Sequence, residues 1–246
     1  MSTEPKWAVI LGASEGTGAA IARAVARDPG LHVFGVHRGR FPDKAAEVER
    51  DVAAFGKTTA MLVADAGNAE GAKIGADEVA KRAGPKSVHL FVHSIANASL
   101  GRFTSGGEDQ LVPKQFQKTF ESMAHSFVYW TQELLARDLF APGARLLGLT
   151  NPLHESLLRN CGLVVAAKAA LEMYVRHLAF ELGPRGMRCN LLKFPTVITP
   201  AVRKVYSPEV LERLEAAHAR MIPAGRICGH TSVTSAIATY IGLYCH

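Results

Sequence analysis

The sequence predicts a single α/β domain built as a doubly wound parallel sheet, and three observations carry that expectation. Six short apolar runs recur along the chain: Ala8–Leu11, His32–Val36, Thr59–Val63, Val88–Val92, Arg145–Leu149 and Arg188–Leu192. Each is separated from the next by a segment of helical periodicity, and strands alternating with helices build a parallel sheet covered on both faces. The first run, Trp7-Ala8-Val9-Ile10-Leu11, leads directly through Gly12-Ala13-Ser14-Glu15-Gly16-Thr17-Gly18 into a helical stretch from Ala19 to Arg27. No repeat, low-complexity tract or linker divides residues 1–246, so one domain is expected. Right-handed crossovers then give the strand order 3-2-1-4-5-6.

Composition bounds the function. At 48% apolar and 20% charged, without an uninterrupted apolar run of about 18 residues, the chain reads as a soluble globular protein with one large core and no membrane span. Met1-Ser2-Thr3-Glu4-Pro5-Lys6 lacks the charged-then-apolar pattern of a signal peptide, which makes the cytoplasm the default location. The cysteines at 161, 189, 228 and 245 have no paired short spacing, so neither a metal site nor a disulfide framework is expected. The net charge of +6 is spread over scattered Lys and Arg residues, with no basic run interleaved with aromatics. That argues against nucleic acid and suits phosphate-bearing small molecules or an acidic carrier protein.

The glycine segment carries the most specific chemistry. Glycines at a strand-to-helix turn let the backbone approach a pyrophosphate, and the helix N-terminus offers unpaired N–H groups and a positive dipole end. Gly12, Ser14, Glu15, Gly16, Thr17 and Gly18 are therefore read as the dinucleotide-binding turn of a Rossmann fold; a tight turn with no ligand is the plainer alternative. At the end of the second strand the chain reads Gly35-Val36-His37-Arg38-Gly39-Arg40, with no acid to accept from a ribose 2′-hydroxyl. A guanidinium there pairs with a 2′-phosphate, so His37 and Arg38 favour NADP(H) over NAD(H). An ordinary solvated loop is the competing reading of the two arginines.

The G-x-x-x-G-x-G spacing resembles that of the short-chain dehydrogenase/reductase family. Phe91-Val92-His93-Ser94-Ile95-Ala96, then Asn160-Cys161 and Ala167-Lys168-Ala169-Ala170-Leu171-Glu172, resemble more narrowly the enoyl-acyl-carrier-protein reductases, whose version reads FVHSIG and then N-Y-x6-K-A-x-L-E. One position departs from the pattern: the family's Tyr, seven residues before the Lys, is Cys161, and four residues before it stands Val164.

The resemblance implies roles for further residues. Asp65-Ala66 takes the place of an acceptor for the adenine amino group, although Asp65 also suits a turn cap. Ser94, Ile95 and Ala96 would lie along the ribose and nicotinamide. Thr196, Val197 and Thr199 would lie near the carboxamide and pyrophosphate, with the motif's glycine replaced by Pro195 or Thr196. Lys168 would hold the nicotinamide ribose. Cys161 is either a small buried hydrophobe, a thiolate beside Lys168, or a weak acid in the phenol's place. Thr150 or Asn151 would donate to a substrate oxygen and His154 would supply a proton; Asn151 before Pro152 also reads as a plain turn, and His154 as an exposed loop residue. The family's helical relay Asn corresponds to Met123.

Two long helices are expected, Pro113 to Arg137 and Cys161 to Leu182, the second stopped by Gly183-Pro184. In the family this pair packs across a dimer interface, which implies a homodimer or homotetramer. The segment 197–224 would cover the substrate, with Arg203-Lys204 placed to meet an acidic carrier or a phosphopantetheine. The family's last strand is expected to be absent, because Leu243-Tyr244-Cys245-His246 falls about where the preceding helix finishes.

The leading functional expectation is an atypical NADP(H) oxidoreductase acting on an enoyl thioester of an acyl carrier protein or coenzyme A. Two others stand beside it: a catalytically silent cofactor-binding protein, and a non-redox dehydratase, isomerase or cyclase using Cys161 or His154. The enoyl reductase is the more forgiving redox chemistry for a site without its phenol, because a ketone reductase must also protonate a new alkoxide.

Overall fold

The computed structural model describes residues 5–152, 160–194, 197–203 and 206–221, together with Gly229 and Val233. Six strands form one parallel sheet in the order β3-β2-β1-β4-β5-β6, as the alternating pattern predicts. They are β1 (Lys6–Leu11), β2 (Leu31–His37), β3 (Thr59–Val63), β4 (Val88–His93), β5 (Phe140–Thr150) and β6 (Arg188–Lys193). The order reverses between β1 and β4, so the crevice beyond the carboxyl ends of these two strands is where such a sheet accepts a ligand.

Helices α1 (Gly16–Val25), α2 (Pro42–Ala53) and α3 (Ala69–Ala83) connect the first four strands. After β4 come α4 (Pro113–Phe120), a π-helical turn (Glu121–His125) and α5 (Ser126–Ala136); after β5 comes α6 (Gly162–Leu182), closed by a 3-10 turn at Gly183–Arg185. Beyond β6, the short α7 (Pro200–Arg203) and then α8 (Pro208–Met221) follow. Part of the expected covering segment 197–224 is thus helical, and the remainder lies outside the described residues. Leu243 to His246, on which the expectation of a missing last strand rests, also lies outside them.

The period-two alternation of the strands divides the core. Val9, Leu11, Phe34 and Phe91 face α3, α5 and α6, packing with Ala76, Phe127, Trp130 and Leu171. Ala8, Ile10, Val33 and Leu90 face α1 and α2, packing with Ile21, Val25, Val48 and Val52. Phe91 stacks on Phe127 at 5.6 Å between ring centroids, and each such buried side chain contributes roughly 1.5–3 kcal/mol. Trp130 is anchored further by its indole N–H, which donates to Ala66 O at 3.0 Å.

Several boundaries differ from those expected. Helix α1 starts at Gly16 instead of Ala19 and ends at Val25 instead of Arg27, so its free N–H groups sit inside the glycine segment. The helix expected from Pro113 to Arg137 is interrupted by the π turn and ends at Ala136. The helix expected from Cys161 begins at Gly162, with Cys161 as its flanking residue. Strand β5 begins at Phe140, five residues before the expected Arg145. An irregularity against β4, where Val88 pairs with Phe140 but Leu90 pairs with Arg145, absorbs the exposed Pro142-Gly143. Among the described residues no helix is long and apolar enough to cross a membrane.

Candidate active site

The turn after β1 has the shape a pyrophosphate requires. Gly12 adopts φ +78°, a left-handed conformation that side chains disfavour, and a Cβ there would collide with the backbone carbonyl of Ser94 at the end of β4. A Cβ on Gly18 would collide in turn with the carbonyl of Gly12. The βα turn and the strand-end segment after β4 therefore touch backbone to backbone, and Ser94 N donates to Leu11 O at 3.1 Å across the same junction. This cradle, open at the N-terminus of α1, fits a dinucleotide. Glu15 points away from it, paired with Lys44 at 3.0 Å.

At the end of β2, His37 is buried and its Nδ1 accepts from Gly39 N at 3.2 Å, which fixes the loop carrying Arg38. Burial lowers the His37 pKa below its ordinary value, while Glu49 draws it back up, so the ring remains a neutral acceptor near neutrality. The guanidinium of Arg38 feels burial first, then repulsion from Arg40 and attraction to Asp65. The ends of β2 and β3 thus bring one half-buried cation beside one acid. Asp65 Oδ1 accepts from Gly67 N at 3.0 Å, the turn-capping arrangement, and Ala66 supplies the carbonyl that holds Trp130.

The end of β4 contains a buried polar chain. His93 Nε2 lies 2.8 Å from Ser126 Oγ, and that hydroxyl donates to Ser122 O at 2.8 Å, so the imidazole is the donor to Ser126. Its other nitrogen, Nδ1, is buried without a hydrogen-bond partner among the described residues. Burial, aided by the nearby Lys168 charge, pushes the His93 pKa down to about 3. Ser122 Oγ donates to Asn97 O at 2.7 Å, tying the π turn to the segment after β4. Ile95 packs on the core, while Ala96 beside it is exposed. Met123, matched to the family's relay Asn, is buried in this turn.

Lys168, on α6, is buried, and its Nζ donates to Leu149 O near the end of β5 at 2.7 Å. Desolvation pulls its pKa down to about 8. Thr150 is also buried; its hydroxyl lies 3.3 Å from Glu172 Oε1, directing it along α6. Asn151 is half-buried beyond it, while His154 lies outside the described residues. Cys161 is a buried free thiol whose Sγ lies 3.3 Å from the hydroxyl of Tyr206. After β6, Val197 is buried and Thr199 Oγ1 accepts from Val202 N at 3.3 Å; Thr196 lies outside the described residues.

The ends of β1 and β4 thus bring together the glycine turn and Ser94, the end of β5 meets Lys168 close to His93, and Cys161 at the start of α6 meets Tyr206. Arg38 and Asp65 stand at a separate end of the same crevice, beyond β2 and β3. Sequence reasoning missed Tyr206, forty-five residues from its partner, and the roles of His93 and Ser122; of these only His93 lay inside a quoted motif. It also missed Phe103, whose ring lies against Gly162 at the start of α6 and stacks on Phe116 at 5.8 Å. Among the described residues no cluster of His, Cys, Asp and Glu is arranged to hold a metal ion.

A sheet of this order, a glycine cradle at its reversal and a buried lysine on α6 define an oxidoreductase of the short-chain dehydrogenase/reductase family, and the chain belongs to that family. The family model that matches it, over residues 12–241, is described as enoyl-(acyl carrier protein) reductase. Among curated relatives, 1-cyclohexenylcarbonyl-CoA reductase of Streptomyces collinus is 26% identical over 234 residues, 95% of this chain and 79% of that protein. The NADH enoyl-acyl-carrier-protein reductase FabI of Escherichia coli is 30% identical over 111 residues, covering 45% of this chain and 42% of that one. The solved structure of L-sorbose reductase from Gluconobacter frateurii, complexed with NADPH and L-sorbose, shares the fold with a TM-score of 0.82 at 21% identity, over 97% of this chain and 90% of that one.

Proposed function

We propose that this protein is an NADP(H)-dependent reductase of an enoyl thioester carried by coenzyme A or an acyl carrier protein, working with Cys161 where the family places its phenol. The observation that carries the reading is Lys168, a buried cation tied to Leu149 O and close to His93, whose neighbour Ser94 closes the cradle with Gly12 and Gly18. Burying an ammonium group is costly, and an anionic or hydroxyl-rich ligand beside it offsets that cost. The bound dinucleotide would supply the hydride. Gly12 to Gly18 would receive its pyrophosphate on backbone N–H groups, and Lys168 would hold the nicotinamide ribose.

Arg38 supports the 2′-phosphate form. It is half-buried at the end of β2, where a 2′-phosphate would reach it, and the segment Gly35–Arg40 carries no acid to take a 2′-hydroxyl instead. The thioester class rests on the family model and on the coenzyme A reductase similar to this chain over nearly its full length. Phe103 and Phe116 add an apolar wall beside the start of α6, suited to an acyl chain.

The same resemblance supports a homodimer or homotetramer through α5 and α6, and Phe180 on α6 is left 83% exposed, an apolar surface that a second copy would cover. Light scattering in solution reads that assembly directly.

The function is tested by incubating the protein with NADPH and crotonyl-CoA while following both NADPH absorbance and acyl product. Reduction with matched cofactor oxidation is the expected result. Product without cofactor oxidation would point instead to a non-redox enzyme, and tight cofactor binding without any product to a silent one.

A further inference from the structure

We infer that Tyr206, presented by the segment after β6, is a catalytic hydrogen-bond donor to the substrate's thioester carbonyl oxygen, replacing from the opposite wall the phenol that α6 lacks. The inference rests on the reductase reading above and names a residue within that site.

The geometry starts at Cys161. Positions 161 and 168 are seven apart, about two helical turns, so Cys161, flanking the N-terminus of α6, and Lys168 fall on one side of its start. The Lys168 side chain on this side reaches the end of β5, and the Cys161 thiol on the same side meets the Tyr206 hydroxyl at 3.3 Å. A phenol oxygen therefore stands within one hydrogen bond of the side chain at the family's tyrosine position. Its own backbone is tied to α7, with Tyr206 N donating to Val202 O at 3.2 Å, and that short helix is tied to the strand-end segment by the Thr199 cap on Val202. The phenol thus comes from the same stretch of chain as Val197 and Thr199.

Two other donors near the start of α6, Thr150 and Lys168, are engaged. The Thr150 hydroxyl is directed to Glu172, and Lys168 holds Leu149 O. Of the three tyrosines among the described residues, Tyr174 is hydrogen-bonded to His125 and Tyr129 lies against that same imidazole, far along the helix pair. Tyr206 remains, and a thiol is a weak partner that a carbonyl oxygen displaces readily. Burial, then the Cys161 contact, raise its pKa to about 12, so the phenol keeps its proton and acts as a donor instead of a base.

The experiment compares the full-length protein with Tyr206→Phe, which keeps the ring, and with Tyr129→Phe as a control. Each is assayed with NADPH and crotonyl-CoA. Each is also titrated, in the presence of NADP+, with acetoacetyl-CoA, whose enolate absorbs in the near ultraviolet and is favoured by a donor to its oxygen. The expected result is a loss of about 10²-fold or more in kcat for Tyr206→Phe, with KM changed little and the enolate band diminished, while Tyr129→Phe matches the parent. An active parent whose Tyr206→Phe variant keeps both rate and enolate band overturns the inference and leaves the reductase reading standing. A parent that neither reduces nor binds the thioesters overturns both. Equal losses in Tyr206→Phe and Cys161→Ala that do not add in the double variant would place the phenol behind the thiol, as a positioning residue, and overturn its role as donor.

Discussion

Lys168 Nζ donates to Leu149 O at 2.7 Å, joining the second turn of α6 to the penultimate residue of β5 in the buried interior. One carbonyl cannot replace the water that an ammonium group loses on burial, which is why its pKa sits at about 8. The fold therefore carries a destabilised cation, and under the proposed ribose contact stability is given up locally for function.

Replacing this cation should stabilise the empty protein. The folded pKa of about 8 lies below the ordinary 10.5, so between these values the unfolded chain binds more protons than the folded one, and stability attributable to Lys168 rises with pH. Its penalty is full below about pH 8 and fades towards 10.5. Lys168→Met should accordingly raise unfolding stability by on the order of 1–3 kcal/mol at pH 7, with the gain shrinking at pH 10. Cofactor binding should weaken at least tenfold. Denaturant unfolding at the two pH values and a fluorescence titration read both effects, and a destabilised variant would mean that the Leu149 contact outweighs desolvation.

His93 should make the fold sensitive to acid. Its folded pKa of about 3 lies below the ordinary 6.5, so the stability from its neutral form is present above about pH 6.5 and is lost as pH falls towards 3. Between those limits the parent should lose up to about 1.4 kcal/mol per pH unit more than His93→Leu, which takes up no proton. Parallel pH profiles of thermal unfolding for the two proteins would show that His93 takes up its proton in the fold as readily as in the unfolded chain.

The glycine cradle gives a prediction separable from general packing. Gly18→Ala forces a methyl into the carbonyl of Gly12 and should abolish measurable NADPH binding while the far-ultraviolet spectrum stays that of an α/β protein. Gly75→Ala makes a clash of similar severity against the Trp130 ring, within the core between α3 and α5. That variant should lose roughly 1–3 kcal/mol of stability yet bind NADPH with nearly parental affinity. If the two variants lose cofactor affinity alike, the glycine turn is no more than a packing contact.

Cofactor preference follows from Arg38. Binding of NADPH should exceed that of NADH by at least tenfold, about 1.4 kcal/mol, and Arg38→Ala should erase the difference without greatly changing NADH affinity. Unchanged preference in the variant, measured by quenching of the two Trp residues, would remove Arg38 from the site.

Much of this was legible in the sequence because it is local. The strand order comes from alternation and crossover handedness, the cradle from glycines within seven residues, and Lys168 from its helical context. What was not legible depends on distant contacts. The pattern of Phe116, Phe120 and Phe127 continues through the π turn, so nothing in the spacing marks Glu121–His125 as a break. Pro142-Gly143 reads as a turn before a strand, although the strand has already begun at Phe140. Tyr206 lies just after Arg203-Lys204, a pair read only for its charge, and its nearness to Cys161 arises from the path of the chain after β6.

That nearness changes what a restored family tyrosine should do. A phenol introduced by Cys161→Tyr would need the space that the Tyr206 hydroxyl already fills, 3.3 Å from the thiol. The single variant should therefore be overpacked, costing roughly 1–3 kcal/mol, and should gain no reductase activity. Truncating the opposing side chain removes the conflict. Cys161→Tyr combined with Tyr206→Ala should recover stability towards the parent and reduce crotonyl-CoA faster than Tyr206→Ala alone, because the new phenol stands on the same side of the start of α6 as Lys168. Thermal unfolding and initial rates on the four proteins complete the cycle. A single variant as stable as the parent would show that the two side chains do not compete for one space. A double variant no faster than Tyr206→Ala would show that position 161 does not present a phenol to the substrate.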